Sequence, residues 1–217
     1  MAVAMNKELL ALRDAGCKCI QIEEPTLHFW ANTYGRDHDN VRFMIKAYNR
    51  EVQGLDDVEI WIHTCWGNPN MQRVIENDSY RESFKLYLEE CRGDVWTVEM
   101  KDRNLREIEL FAPFKGNLKK KLCVGVVSHR TLQVEQPEAV AGTIREALKH
   151  VAPEQLIISS DCGFGRQGCN REIAFFKSTS IAQGTNIVRR ELGLPETRVR
   201  AADPALQTDI VPETPDR

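Results

Sequence analysis

The sequence predicts an α/β fold in which short parallel strands alternate with helices as part of a (β/α)8 TIM barrel. Three observations carry this. Short β-rich runs alternate with longer amphipathic stretches along the chain. Most of the short runs are almost continuously apolar, as parallel strands covered on both faces are, whereas antiparallel strands with one wet face alternate. Residues able to do chemistry fall at the ends of those runs: Glu23 and Glu24, His63 and Cys65, Glu99, His129, then Asp161 and Cys162. Barrel enzymes build their sites from that rim, using several different strands. An open doubly wound sheet would gather its site at one switch point, usually behind a Gly-rich phosphate loop after the first strand, and the first strand here has none.

In chain order, the strands are expected in KCIQIEEP (18–25), VEIWIHTC (58–65), DVWTVEM (94–100), KLCVGVVS (121–128) and QLIISSDC (155–162). Helical patterns lie between and after them in VRFMIKAYNREVQ, SYRESFKLYLEEC, REIELFA, PEAVAGTIREALKHV and REIAFFKSTSIAQGTNIVRREL. Pro137 beside Glu138 marks one helix start, and Asn170 is placed to cap the last helix. Residues 1–202 are expected to form one domain, the C-terminal portion of a barrel, and the Pro-, Asp- and Thr-rich stretch from Asp203 to Arg217 a tail or peripheral arm. Five β/α units cannot close an eight-stranded barrel. The chain is therefore expected to be a C-terminal portion of a longer protein or to take strands from a partner, a homo-oligomer included.

Composition narrows the function classes. With 217 residues and 42% hydrophobic content, the chain can bury a sizeable core. A net charge of -3 with interspersed signs gives no basic stripe, which argues against nucleic acid and anionic membranes as partners. The N-terminus has no long apolar segment and nothing later approaches a membrane span, so a cytoplasmic location is expected. Seven cysteines, an odd number, fit reduced thiols better than a disulfide framework.

The stretch EIWIHTCWGNPN ends an apolar run on His63 and Cys65, one residue apart, a spacing at which two side chains can converge on one ion. Glu99 and Cys162 end later strands and would face the same rim. Zinc accepts nitrogen, sulfur and carboxylate oxygen, and a dispersed set of this kind suits a catalytic site with a displaceable ligand. The other reading is buried cysteines, a hydrogen-bonded histidine and a surface glutamate. Trp66 is placed either to wall a substrate pocket or to anchor its loop. The loop GFGRQGCNR offers backbone amides with Arg166 or Arg171 to an anion, or is a glycine-rich turn with solvated arginines. Cys17, Cys19, Cys91 and Cys123 are assigned to packing, and Lys119 to Lys121 to a solvated turn.

The segments IQIEEP, HTC, TVEM and SSDCG, in this order and separation, resemble the zinc-bearing C-terminal domain of the cobalamin-independent methionine synthase family, whose short relatives include epoxyalkane:coenzyme M transferases. The resemblance runs from the helix before Cys17 to the helix ending near Leu192. It implies a UROD-like (β/α)8 barrel with Zn2+ held by His63, Cys65, Glu99 and Cys162. Members alkylate a zinc-bound thiol; in the synthase this is homocysteine, methylated by a 5-methyltetrahydrofolate polyglutamate to give methionine. A methylated folate leaves only if N5 is protonated, and His129 is the proton donor nearest by position, although the family's His-Ser-Pro reads His129-Arg130-Thr131 here. The synthases carry Asp where this chain has Glu23, and that acid holds the substrate amino group. Glu24 is the other candidate, since alternate strand residues face opposite ways. The expected function is thus zinc-dependent thiol methyl transfer. Epoxide opening by a thiol such as coenzyme M and an inactive barrel fragment are the alternatives.

Overall fold

A computed structural model describes residues 1–67, 79–165 and 168–207. The apolar runs form five strands, β1 (Cys19–Glu23), β2 (Glu59–Thr64), β3 (Val95–Val98), β4 (Lys121–Val127) and β5 (Leu156–Ser160), each inside its expected stretch. They make one sheet in the order β1-β2-β3-β4-β5, and every neighbouring pair is parallel. Such an unreversed order is that of a barrel wall, because a doubly wound sheet changes direction at its switch point.

Among the described residues, five α-helices accompany the sheet: α1 (Ala2–Asp14), α2 (Pro25–Tyr34), α3 (Asp39–Glu51), α4 (Pro137–Leu148) and α5 (Arg171–Glu191). Asn170 caps α5, its side chain accepting from the Ile173 N–H at 2.9 Å. The helix α2 was not among the expected patterns; Pro25 suits its first turn, where a missing N–H costs nothing, and Glu24 caps it. Two expected helices are corrected. Within residues 79–91 the helix covers 84–90, its last turn, Leu86–Glu90, being π-helical, and the third pattern becomes a 3-10 helix, Ile108–Phe114, with Pro113 inside it. The Glu107 carboxylate accepts from Ser79 Oγ at 2.7 Å and from the Tyr80 N–H at 2.8 Å, capping the entry to this segment, and the Phe84 N–H then donates to the Tyr80 carbonyl at 2.8 Å. Residues 203–207 are not free of the domain: Gln183 donates to the carbonyls of Asp203 and Leu206.

The outer face of the sheet carries the core. Ile20, Ile60, Ile62, Trp96, Val98, Leu122, Val124 and Val126 are buried, and Trp96 anchors an aromatic group with Tyr80, Tyr87, Phe84 and Phe111. The inner face carries Gln21, Glu23, Trp61, His63, Thr97, Cys123 and Ser159, with Glu23 paired in register to His63 and His63 to Thr97. In β4 the register slips between Gly125 and Val127 against Ser159 and Ser160, a bulge that redirects the residues after β5. Gly125 is required there. A Cβ on it would lie 2.0 Å from Asp161 Oδ1 and 2.6 Å from the Asp161 Cα, so the turn that carries Cys162 crosses directly over bare backbone.

Candidate metal centre

The strand ends bring His63, Cys65 and Cys162 into one hydrogen-bonded group. His63 is buried at the end of β2. Its Nδ1 meets Glu23 Oε2, and its Nε2 side faces the Cys162 thiol and, at 3.3 Å, the Asp161 carbonyl. Gln21 Nε2 donates to the other Glu23 oxygen at 2.7 Å, so the carboxylate that orients the ring is itself held. Burial opposes charge on His63, but hydrogen bonds and charges from Cys162 and Glu23 outweigh it and push the imidazole up to about 10.

The two thiols divide one proton. The bond from Cys65 holds Cys162 far below the ordinary thiol range against its burial, with His63 assisting, whereas its bond to Cys162 and burial drive Cys65 up. Cys65 is thus the S–H donor and Cys162 the thiolate. An imidazole fixed by a carboxylate beside a thiol and a thiolate is a donor set that fits zinc, and such a carboxylate partner is the usual companion of a ligating histidine.

Glu99 stands beside this group, and its charge adds to the upward push on Cys65. It is fully buried, and Tyr80 Oη bridges its backbone, donating to the carbonyl and accepting from the N–H, both at 3.1 Å. Glu99 also belongs to a second cluster. Ligand atoms of Glu99, Asp102, His129 and Asp161 all lie within 4.8 Å of one another, an arrangement that could hold a metal ion. Asp161 accepts three backbone N–H groups, from Met100, Lys101 and Asp102, at 2.7, 2.8 and 2.7 Å. His129 Nδ1 is 3.4 Å from Asp102 Oδ2, and neither nitrogen of its buried ring has a hydrogen-bond partner among the described residues. Burial, with the Arg130 charge, lowers the His129 imidazole, and the neighbouring charges of Glu99, Cys162 and Asp102 offset only part of this.

Several expectations are corrected by position. Glu24 is not on the face that carries Glu23; it caps α2 by accepting from the Leu27 N–H at 3.4 Å, and burial raises its carboxyl. Trp66 is fully buried, edge-on to His28 at 3.8 Å and beneath Arg103 at 5.1 Å, so it anchors its loop and does not line the cavity. Cys19 is exposed on the edge strand β1 rather than packed. Lys120 is buried and donates to the carbonyls of Tyr87 and Cys91, because the turn before β4 folds under the sheet. Arg166 lies outside the described residues, and Arg171 is exposed at the first position of α5. Sequence reasoning missed Gln21, Asp102, Arg130 and Gly125 as parts of the site. Asp102 follows Glu99 by three residues and Arg130 follows His129, which was the only signal available.

A cavity of about 470 Å³ opens on the inner face, bounded by Gln21, Glu23, Trp61, His63, Ser160 and Cys162. A ligand there has direct access to the imidazole and the Cys162 sulfur.

Comparison with known proteins is consistent with this geometry. Residues 1–182 match the family described as cobalamin-independent synthase, catalytic domain. Methionine synthases of Sulfurisphaera tokodaii and Saccharolobus solfataricus are 30% and 32% identical over 192 residues, which is 88% of this chain and 49% and 51% of theirs. The structure of a B12-independent methionine synthase from Shewanella sp. W3-18-1, in complex with selenomethionine, superposes with a TM-score of 0.71 at 26% identity, covering 88% of this chain and 54% of that one. A second B12-independent methionine synthase structure, from Listeria monocytogenes and described as putative in its own name, shares the fold at 20% identity and a TM-score of 0.57. The chain spans about half the length of the curated relatives it matches. Among the described residues, no helix is long and apolar enough to cross a membrane.

Proposed function

Because this chain belongs to the cobalamin-independent methionine synthase family, matching its catalytic domain, we propose that it is a zinc-dependent thiol alkyltransferase. Its reaction in this reading is methyl transfer from a 5-methyltetrahydrofolate polyglutamate to homocysteine or a similar thiol, giving methionine or the corresponding thioether. The carrying observation is the contact of Cys162 with both the Cys65 thiol and an imidazole whose far nitrogen is held by Glu23. His63, Cys65 and Cys162 would hold the metal, with Glu99 as the remaining candidate ligand. A zinc ion there would supply Lewis acidity that lowers an incoming thiol's pKa, so that it binds as thiolate at neutral pH.

The chain's own groups account for the rest. Glu23 orients His63 and is the candidate partner for a substrate amino group: its side chain remains 59% exposed where it borders the cavity. The methyl carbon leaves N5 and bonds to sulfur, so N5 must gain a proton as the C–N bond breaks. His129 is assigned that delivery. Asp102 steadies its charged form while burial makes the proton easy to give up. The selenomethionine in the Shewanella relative is a close analogue of the thioether expected as product.

The test is formation of methionine by the zinc-loaded chain from homocysteine and 5-methyltetrahydropteroyltriglutamate, followed by mass spectrometry. Turnover lost in Cys162→Ser and His63→Ala supports the assignment. Zinc-loaded, folded protein that yields no methionine contradicts it.

A further inference from the structure

The histidine assigned to proton delivery has no hydrogen-bond tether of its own among the described residues: its side chain is 0% exposed, and neither ring nitrogen has a partner. Its place is set by the backbone that carries it, residues 128–136 between β4 and α4. Ser128 Oγ accepts from the N–H groups of Arg130 and Thr131 at 3.0 and 3.1 Å, closing the turn around His129. The Ser128 N–H, directly before the histidine, donates to Glu135 Oε1 at 2.7 Å. Glu135 Oε2 in turn accepts from Lys177 Nζ at 2.8 Å, and the same ammonium donates to the Gln133 carbonyl at 2.5 Å.

The Lys177 side chain is 0% exposed and that of Glu135 10%. A lysine is rarely buried so fully without a partner, and a well-packed apolar pair would serve stability as well or better. Lys177 lies within α5, whose seam with α4 is tight. Gly184, two turns along the same face, passes so close that a Cβ on it would lie 2.6 Å from the Pro137 carbonyl oxygen and 2.7 Å from Val140 Cβ. The ammonium is thereby fixed relative to the start of α4 and the segment leading into it.

We propose that the buried Lys177–Glu135 pair positions His129 for proton delivery, by anchoring residues 128–136 to α5, the helix that follows Cys162. The catalytic consequence rests on the assignment of His129 above; Lys177 and Glu135 act through the histidine. The ammonium holds one Glu135 oxygen and the Gln133 carbonyl, which leaves the other oxygen fixed on the Ser128 N–H. Without Lys177 the carboxylate would have no counter-charge and would turn toward solvent, releasing Ser128 and the imidazole beside it.

The test compares the full chain with Lys177→Met and with the double variant Lys177→Met/Glu135→Met, in which apolar side chains replace the charge pair. In metal-free protein, mass spectrometry follows the modification of each histidine by diethyl pyrocarbonate. His129 should be protected in the native chain and react at least about tenfold faster in the folded variants, as local opening of its segment requires. His28, equally buried but set among Trp66, Tyr80 and Ser83, should stay protected in all of them. In zinc-loaded protein, kcat should fall by on the order of a hundredfold, the cost of a small misplacement, with zinc content and the KM for the thiol unchanged. A folded double variant in which His129 stays protected, or in which kcat is native, overturns the proposal. So does equal exposure of His28, or a double variant that cannot fold, since either makes the pair a stability element alone. A native chain without turnover overturns the proton-donor assignment instead, and the modification rates still decide whether the pair holds His129.

Discussion

The imidazole of His63 lies between the carboxylate of Glu23 and the thiolate of Cys162, with Nδ1 on the first and Nε2 turned to the second. The two acceptors come from opposite ends of the sheet, β1 and the turn after β5, so the contact exists only if the whole wall has curved. Without a metal the ring holds both protons; with one bound, the Glu23 contact would keep the proton on Nδ1 and leave the Nε2 lone pair to the ion.

Glu23→Gln should weaken metal binding by about tenfold to a hundredfold without unfolding the protein, the loss expected when the carboxylate behind a ligating histidine is removed. Chelator competition measures this. An unchanged affinity would mean that Glu23 serves substrate alone.

In the metal-free protein, Cys162 should alkylate with iodoacetamide far faster than Cys65, and at a rate nearly constant from about pH 5 to 8, because its thiolate is already formed. Mass mapping of the labelled cysteines reports both rates. Cys65→Ala should restore a rising pH profile, His63→Ala should do so to a lesser degree, and zinc should protect both thiols.

Gly125→Ala should destabilise the fold by about 1–3 kcal/mol or more, since the new methyl meets Asp161 backbone atoms that cannot rotate away. The same change should displace Cys162 and lower metal affinity. Urea unfolding gives the first quantity, and a midpoint shift worth less than about 0.5 kcal/mol would refute the close approach.

His28 is buried between Trp66 and Tyr80 and bonds Ser83 Oγ at 2.6 Å. Burial and then the Arg103 charge lower its imidazole to about 3, from 6.5. The unfolded chain therefore binds a proton that the folded one refuses between those values. Stability from this group is complete above about pH 6.5 and is lost as pH falls toward about 3, by up to roughly 5 kcal/mol. NMR of the His28 ring should show the neutral form until the protein unfolds. A titration near pH 6.5 in the folded state would contradict this.

The strands were legible because continuous apolar runs leave few alternatives, and the rim was legible because each run ends on a polar residue. Which of Glu23 and Glu24 faces inward depends on the strand's rotation, which pattern alone leaves open. The helix expected at 79–91 shows the same limit. Its amphipathic pattern is real and residues 84–90 are helical, but the π-helical last turn, Leu86–Glu90, has no signature in that pattern. The pairing of Arg130 with Glu99 joins residues 31 apart and had no sequence signal at all.

The most direct test of the metal centre is elemental analysis of the purified, folded chain beside Cys162→Ser. About one zinc per chain, lost in the variant, is the predicted result. Folded native protein without bound metal, even after exposure to zinc, would contradict it.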